Sequence, residues 1–463
     1  VLFNKRLYKS LDHTLLGATF ILIFFSLIMI GSATLEYTPS SLRQFENLNI
    51  FLRLLHLDYT YFSKQILWIF LGFGIMALMV YVPYEDIIKQ ARFLYALNLF
   101  MLIMVLFVGH TALGAQRWIQ IGPLTFQPSE FAKLLIIITF AAFLAKREGR
   151  LNSWSGLWPC FLYVGLPFII ILKQPDLGTS LVFIAIMFGM LFFAGAKPAH
   201  LLVLLGIGII FTAGIFTVHM YLHQTQDNLE KQILALRSKE KIINYIEEKD
   251  EAKEKNASSR PTGWKPVLPE AYPTRLIALE EKYQAISEHH KLFHRYTLKE
   301  YQMNRLIIFL NPQKDILGAG YHIWQSLITV GSGGLVGKGF LEGTQSHFTF
   351  LPIRHTDFIF SVVGEEFGFL GALFLLSLYF IILYRGLKVI MQARDNEGVL
   401  LASGIVTMFA FHVFVNIGMT IGIMPITGIP LPLFSYGGSN IIMNLAALGL
   451  LLNIYTRRKK IIF

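Results

Sequence analysis

The stretch HLLVLLGIGIIFTAGIFTVHMY, His200 to Tyr221, decides the fold. It contains no Asp, Glu, Lys or Arg. A bilayer core of about 30 Å needs about 20 such residues in one helix. Further runs of the same kind lie at roughly 14–33, 66–84, 92–109, 130–146, 156–172, 178–195, 358–384, 399–421 and 436–455. Only helices or a closed barrel satisfy their own backbone groups in lipid. These runs are continuous rather than alternating, so helices are expected. The fold class is therefore an all-α polytopic membrane protein of about ten spans.

Composition agrees. Hydrophobic residues make up 54% of the 463 positions and charged residues 15%, against about 25% charged in soluble domains. This excludes a disordered chain, a disulfide framework and most soluble enzymes. The first apolar run is too long for a signal peptide and lacks an A-x-A exit, so no cleavable leader is expected. The single cysteine, Cys160, sits in an apolar run with no metal-type spacing around it and reads as a small buried residue.

The net charge of +11 has a reading that needs no nucleic acid. Both termini are placed in the cytoplasm. The inner segments then hold Lys5, Arg6, Lys9, Lys89, Arg92, Lys146, Arg147, Arg150 and Lys197, together with the basic residues after spans eight and ten. The short outer loops hold only Arg43, Arg53, Lys64, Arg117 and Lys173. That is a positive-inside bias.

Three regions follow. Residues 1–221 carry spans one to seven. Residues 222–357 form a large extracytoplasmic loop, and 358–463 carry spans eight to ten and a basic cytoplasmic tail. Within the loop, 223–300 is Lys/Glu-rich, and Leu229, Ile233, Leu236, Ile243 and Ile246 lie near helical spacing. This reads as a solvated helical excursion or a docking surface. Residues 311–357 are Gly-rich, but the run from Asn311 to Phe360 carries Trp324, Phe348, Phe350 and Phe358, which suits a membrane-surface or re-entrant segment. Its GSGGLVGKG lacks the Lys-Ser/Thr ending of a nucleotide loop. The glycines allow tight turns and close approach.

Candidate site residues lie in five outer-side motifs. In GAQRWIQIGPLTFQPSEFAK, Arg117 suits a bidentate anion contact and Lys133 a point contact. Glu130, one turn before Lys133, can pair with it. Alternatively Lys133 snorkels to the interface. Asp176, in LKQPDLGTS, either caps span six or faces a ligand. Asp315 either caps a turn or serves as a general base. In RHTDFIFSVVGEEFG, Arg354, His355 and Asp357 stand at the entrance of span eight, with Glu365 and Glu366 deeper. Carboxylates there face a cavity or a partner. Ser435 lies in GIPLPLFSYGGSN, a broken entrance to span ten. His412 and Asn416 in span nine are possible internal partners. The inventory suits an anionic, lipid-linked, polar-headed substrate at the outer leaflet.

At these motifs the sequence resembles the SEDS family of bacterial cell-wall polymerases. The signatures GAQRW…QPSE..K, PDLGTS, DxLGAGYH..QS, GSGG..GKG, LPxRHTDFIF..GEE.G and PLPL.SYGGS appear in order. GTQS at 343–346 and Arg354 before His355 resemble the elongation branch, RodA-like, rather than the division branch. The resemblance implies a peptidoglycan glycosyltransferase that polymerises lipid II at the outer leaflet of the bacterial inner membrane during elongation. It implies a divalent cation, Mg or Mn. It also implies a class B penicillin-binding protein and other elongation-complex membrane proteins as partners. It puts the catalytic carboxylate on Asp315 and a basic pair on Arg117 and Lys133. Substrate contacts would extend to Glu130, Asp176, Arg354, His355, Asp357, Glu366 and Ser435. A lipid II flippase or a non-catalytic scaffold are the alternatives. The chain departs from the family pattern at Ile316, at Ile353 and in the length of 223–300.

Overall fold

The computed structural model describes residues 10–35, 59–112, 115–121, 124–254, 272–297, 300–311, 319–347 and 350–458. In chain order the described helices are α1 (His13–Ala33), α2 (Tyr59–Tyr81), α3 (Tyr84–Lys89) and α4 (Ala91–Val108). After a small sheet come α5 (Pro128–Ala145), α6 (Trp154–Lys173), α7 (Leu177–Phe193), α8 (Pro198–Glu254), α9 (Tyr272–Tyr296) and α10 (Glu300–Leu310). The rest are α11 (Ala319–Ser332), α12 (Thr344–His347), α13 (Ile359–Gln392), α14 (Asn396–Thr420) and α15 (Gly438–Thr456). Among the described residues 9 helices are long and apolar enough to cross a bilayer. The remaining expected span, 178–195, is α7, an apolar helix of 17 residues, at the short end of the crossing range of about 17–25.

Two compact units divide the chain: 1–201 with 304–463, and 202–303. In the first unit α5, α14 and α15 form the interior. The apolar window of α15 is 89% buried. It crosses α2 closely because Gly449 leaves room for the Met76 backbone and Gly72 for Leu445, the small-residue packing usual between membrane helices. One end of this unit is fastened by charged groups. Asp12 caps α1 and accepts from Arg385 Nε at 2.6 Å, and Tyr84 donates to Asp395 at 2.7 Å.

The second unit is a helical pair. The boundary expected at 221/222 falls inside α8, which runs unbroken to Glu254. His219 meets His290, Gln226 meets Tyr283 and Arg237 meets Glu280, so α8 and α9 are antiparallel. The expected helical excursion over 223–300 is thus present in 223–254 and 272–296.

Two features differ from a purely helical reading. The first is a three-stranded antiparallel sheet, β1 (His110–Ala112), β2 (Ala115–Ile121) and β3 (Leu124–Phe126), which carries Arg117 on β2. The second is a break in α13 at Gly368, with φ 63° and ψ −157°. A continuous helix would join Phe369 N–H to Glu365 C=O and Leu370 N–H to Glu366 C=O. Instead Phe369 and Leu370 donate to the carbonyls of Gly334 and Leu335 at 2.9 and 3.1 Å. The carbonyls of Glu365 and Glu366 accept from Lys338 and Gly339 at 2.9 and 3.0 Å. The Gly-rich GSGGLVGKG segment therefore approaches a broken helix. A Cβ at Gly333 or Gly337 would collide with the backbone of α13, and one at Gly368 with the backbone at Gly337. Gly368→Ala should lower stability by about 2 kcal/mol or more, from positive-φ strain and this collision together. Thermal unfolding of the detergent-solubilised protein reads the loss, and an unchanged melting temperature would contradict the interlock.

Candidate active site

The residues expected to act together divide into three places in the first unit. The principal one is built on β2, the start of α5, the start of α7 and α14. Pro128 starts α5 with Glu130 in its first turn. The 3-residue spacing then puts Lys133 Nζ 2.9 Å from Glu130 Oε1, both groups buried. Lys133 Nζ also lies 3.3 Å from His412 Nε2, whose Nδ1 lies 3.2 Å from the Pro430 carbonyl. The snorkelling expected as one reading of Lys133 does not occur: its side chain is 1% exposed. Glu130 supplies the counter-charge that makes this burial tolerable.

Asp176 joins the second cation to this cluster. It caps α7, accepting from Thr179 N–H at 3.2 Å and Thr179 Oγ1 at 2.9 Å. It also accepts from Ser129 Oγ at 3.1 Å, next to Glu130 in sequence, and faces Arg117 at 3.9 Å. The cap reading of Asp176 thus holds, and the same carboxylate is the charge partner of Arg117. Arg117 donates to the carbonyls of Gln174 and Pro175. Its side chain is 22% exposed, so Arg117 is the cation of the pair that meets solvent.

Asp357 belongs to the same place. Its backbone carbonyl accepts from Asn416 Nδ2 at 3.0 Å, and Asn416 also holds the Ile429 carbonyl at 2.7 Å. A Cβ at Gly428 would lie near both Asp357 and Arg305. The Asp357 residue keeps part of its surface open, yet protein atoms crowd its carboxyl. That desolvation pushes it above the ordinary carboxylate range, with Arg305 as the main opposing influence and Arg117 and Asp176 also within reach. Ser435 accepts from Leu431 N–H at 2.8 Å and donates to the Thr356 carbonyl at 2.7 Å. It braces the Pro430–Pro432 turn against the Asp357 segment.

The second place is aromatic. The His355 ring lies 5.0 Å from Tyr61 and 5.7 Å from Tyr436. Burial, reinforced by Arg354, keeps its imidazole below the usual range and hence neutral near pH 7. The third place holds Arg354 and Glu366 near the end of α1. Arg354 Nε donates to the Ala33 carbonyl at 2.6 Å. Glu366 accepts from Ser32 and lies 3.2 Å from His347 Nε2. Its neighbour Glu365 accepts from the backbone N–H groups of Thr344, Gln345 and Ser346 at 2.8 to 2.9 Å and from Lys338 Nζ at 2.6 Å. That carboxylate caps α12. Asp315 lies outside the described residues.

Three partners escaped the sequence reading: Ser129, Thr179 and Arg305. The first two are short hydroxyl side chains beside motif residues already singled out, and helix starts favour such types. Arg305 carries no local signal. As for a divalent cation, no group of three His, Cys, Asp or Glu residues converges at this cluster among the described residues. Glu130 is committed to Lys133, and Asp176 to hydroxyls and a cap. The described donors do not compose a cation cage by themselves.

Fold and site together define a polytopic α-helical membrane protein with a buried carboxylate–cation network at the end opposite its basic termini. The chain belongs to the FtsW/RodA/SpoVE family, described as cell cycle protein, whose model matches residues 13–256 and 283–460. It is similar to the peptidoglycan glycosyltransferase RodA of Treponema pallidum, 37% identical over 86% of this chain and 90% of that one. It is likewise similar to the peptidoglycan glycosyltransferase MrdB of Escherichia coli, 34% identical over 86% of each chain. A solved peptidoglycan synthase complex that coordinates polymerization and crosslinking contains a similar chain, with TM-score 0.65 and 25% identity over 96% of this chain and 97% of that one. The rod shape determining protein RodA of Thermus thermophilus matches with TM-score 0.56 and 25% identity over 97% and 98%. The chain is a multi-pass bacterial membrane protein.

Lys133→Met should cost about 3–5 kcal/mol, because Glu130 is left buried without a counter-charge. Adding Glu130→Gln should recover much of that in thermal unfolding, and equal losses for the single and double variants would show the two groups uncoupled. Asp357 gives a second test. A raised carboxyl stabilises the fold fully below the ordinary pKa of about 4 and loses that contribution as pH rises through the raised value. Asp357→Asn cannot ionise, so as pH rises above about 4 it should lose less stability than the parent. A parallel pH dependence for both proteins would remove the assignment.

Proposed function

We infer that this chain is a peptidoglycan glycosyltransferase that polymerises lipid II at the outer leaflet during cell elongation. The observation that carries the reading is the pairing of Arg117 with Asp176 beside the buried Lys133–Glu130–His412 set, in a chain 37% identical to a protein named for that activity.

The chemistry follows from the charges. The donor is an α-linked sugar pyrophosphate and the product a β-1,4 bond, so one displacement inverts the anomeric carbon. Asp315 takes the proton from the acceptor's 4-hydroxyl. The C–O bond to the lipid pyrophosphate breaks as the new glycosidic bond forms. The pyrophosphate leaves as a weak base, so it needs charge stabilisation rather than a strong general acid. Arg117, with its guanidinium at the open edge, is the group that reaches the phosphate oxygens. Lys133 is enclosed and paired with Glu130, so it holds the start of α5 behind Arg117 rather than touching the phosphate. A divalent cation is proposed only as a further charge at the pyrophosphate. Mg usually needs just one or two carboxylates beside substrate phosphates.

The partner is proposed as a class B penicillin-binding protein, which crosslinks the strands made here, with other elongation-complex membrane proteins around it. A similar chain in a synthase complex supports this.

Purified protein with its partner and labelled lipid II should form glycan strands. Asp315→Asn should abolish polymerisation while lipid II still binds, and Arg117→Ala should lower the rate at least tenfold. Normal polymerisation by Asp315→Asn would remove the base assignment. Leaflet exchange of lipid II without strand formation would replace the polymerase with a flippase.

A further inference from the structure

The second unit holds four histidines that the proposed chemistry does not use. His219 and His223 stand four residues apart on α8, and His290 and His294 four residues apart on α9. That spacing puts each pair on one helical face. The antiparallel packing turns the two faces toward each other. His290 Nε2 lies 3.3 Å from His219 Nδ1 and 3.2 Å from His294 Nε2. One ligand atom from each of His219, His290 and His294 lies within 4.8 Å of the other two. The His223 ring is 5.9 Å from that of His219 and 6.2 Å from that of His290.

Hydrogen bonding alone serves this arrangement poorly. A single N–H at His290 Nε2 serves one neighbouring nitrogen well and leaves lone pairs facing elsewhere. Protonating all three rings would set like charges side by side. His219 is buried, so water does not readily complete the shell of its Nδ1 beside His290. A cation at the centre turns the converging lone pairs into ligands. Nitrogens about 2.0–2.1 Å from a tetrahedral zinc stand about 3.3–3.4 Å apart, close to the two separations measured from His290 Nε2.

We propose that His219, His290 and His294 form a site for a borderline divalent transition metal, Zn²⁺, with His223 as the fourth ligand. Imidazole donors suit Zn²⁺, and the absence of carboxylate oxygens from the set disfavours Mg²⁺ and Ca²⁺. Asp227 lies 3.5 Å from His223 Nε2, which leaves Nδ1 as the nitrogen His223 would turn to the metal. Bound metal fastens α8 to α9 across residues 257–282, which the family model leaves unmatched. The site is structural: its four ligands leave no open position for chemistry.

The test uses full-length protein, purified through a tag without histidines and stripped with a chelator. Zn²⁺ titration against a chromophoric competitor should give one site per chain. Co²⁺ should give the intense visible absorption of a tetrahedral complex. His219→Ala combined with His290→Ala should abolish both signals. His289→Ala should change neither, since His289 is exposed and its Nδ1 lies 2.6 Å from the Ala285 carbonyl of its own helix. A parent protein with no stoichiometric site overturns the proposal, whatever the variants do. So does a double variant that binds like the parent.

Discussion

Lipid offers no hydrogen bonds, so a helix that breaks inside a bundle must find every lost backbone partner in protein. The break at Gly368 meets that constraint by exchange. Two bonds within α13 are given up, and four are made with Gly334, Leu335, Lys338 and Gly339. The exchange sets the direction of α13 on either side of the break. It also presents Glu365 and Glu366 from the turn just before it. Glu365 then caps α12, and Glu366 reaches Ser32 on α1. The Gly-rich segment, the helix break and the α1 contact therefore form one assembly. The Arg354 contact with the end of α1 adds to it.

This explains which parts of the sequence were readable. The spans were legible because each is a property of one contiguous run, and hydropathy along a run needs no knowledge of neighbours. The pairing of Glu130 with Lys133 was legible for the same reason, since three residues along a helix fix proximity. The burial of Lys133 was not, because His412 and α14 cover it from almost three hundred positions away. The glycines of GSGGLVGKG were readable as permitting close approach, but what they approach depends on tertiary structure. The small sheet that carries Arg117 was hidden because its strands are short and lie between long apolar runs. Arg305 was hidden because only folding brings it near Asp357.

Two of the devices that hold charge in the first unit differ in consequence. Glu365 is satisfied by backbone N–H groups and one lysine, so its ionised form is built into a turn. Removing it frees backbone donors as well as a charge. The Lys133–Glu130 pair is satisfied mainly by itself and His412. It can be neutralised as a unit without orphaning the main chain. Conservative replacement thus means different things at the two carboxylates, although both are buried acids beside a lysine.

Exposure also orders the two cations. Arg117 sits on the middle strand β2, where its pairing with β1 is irregular, held by carbonyls of the turn before α7 and facing Asp176. An arriving phosphate competes with those neutral carbonyls and with one carboxylate at 3.9 Å, a weak hold for a guanidinium. Lys133 is bound to its carboxylate at 2.9 Å, away from solvent. Freeing it would leave Glu130 uncompensated, which costs more than most new contacts return. On the proposed function an anion meets Arg117 first, while Lys133, tied to Glu130, makes no contact with it. The division follows from where the chain buries each group: an irregular stretch of the small sheet leaves Arg117 partly open to exchange, and the second turn of a central helix does not do so for Lys133.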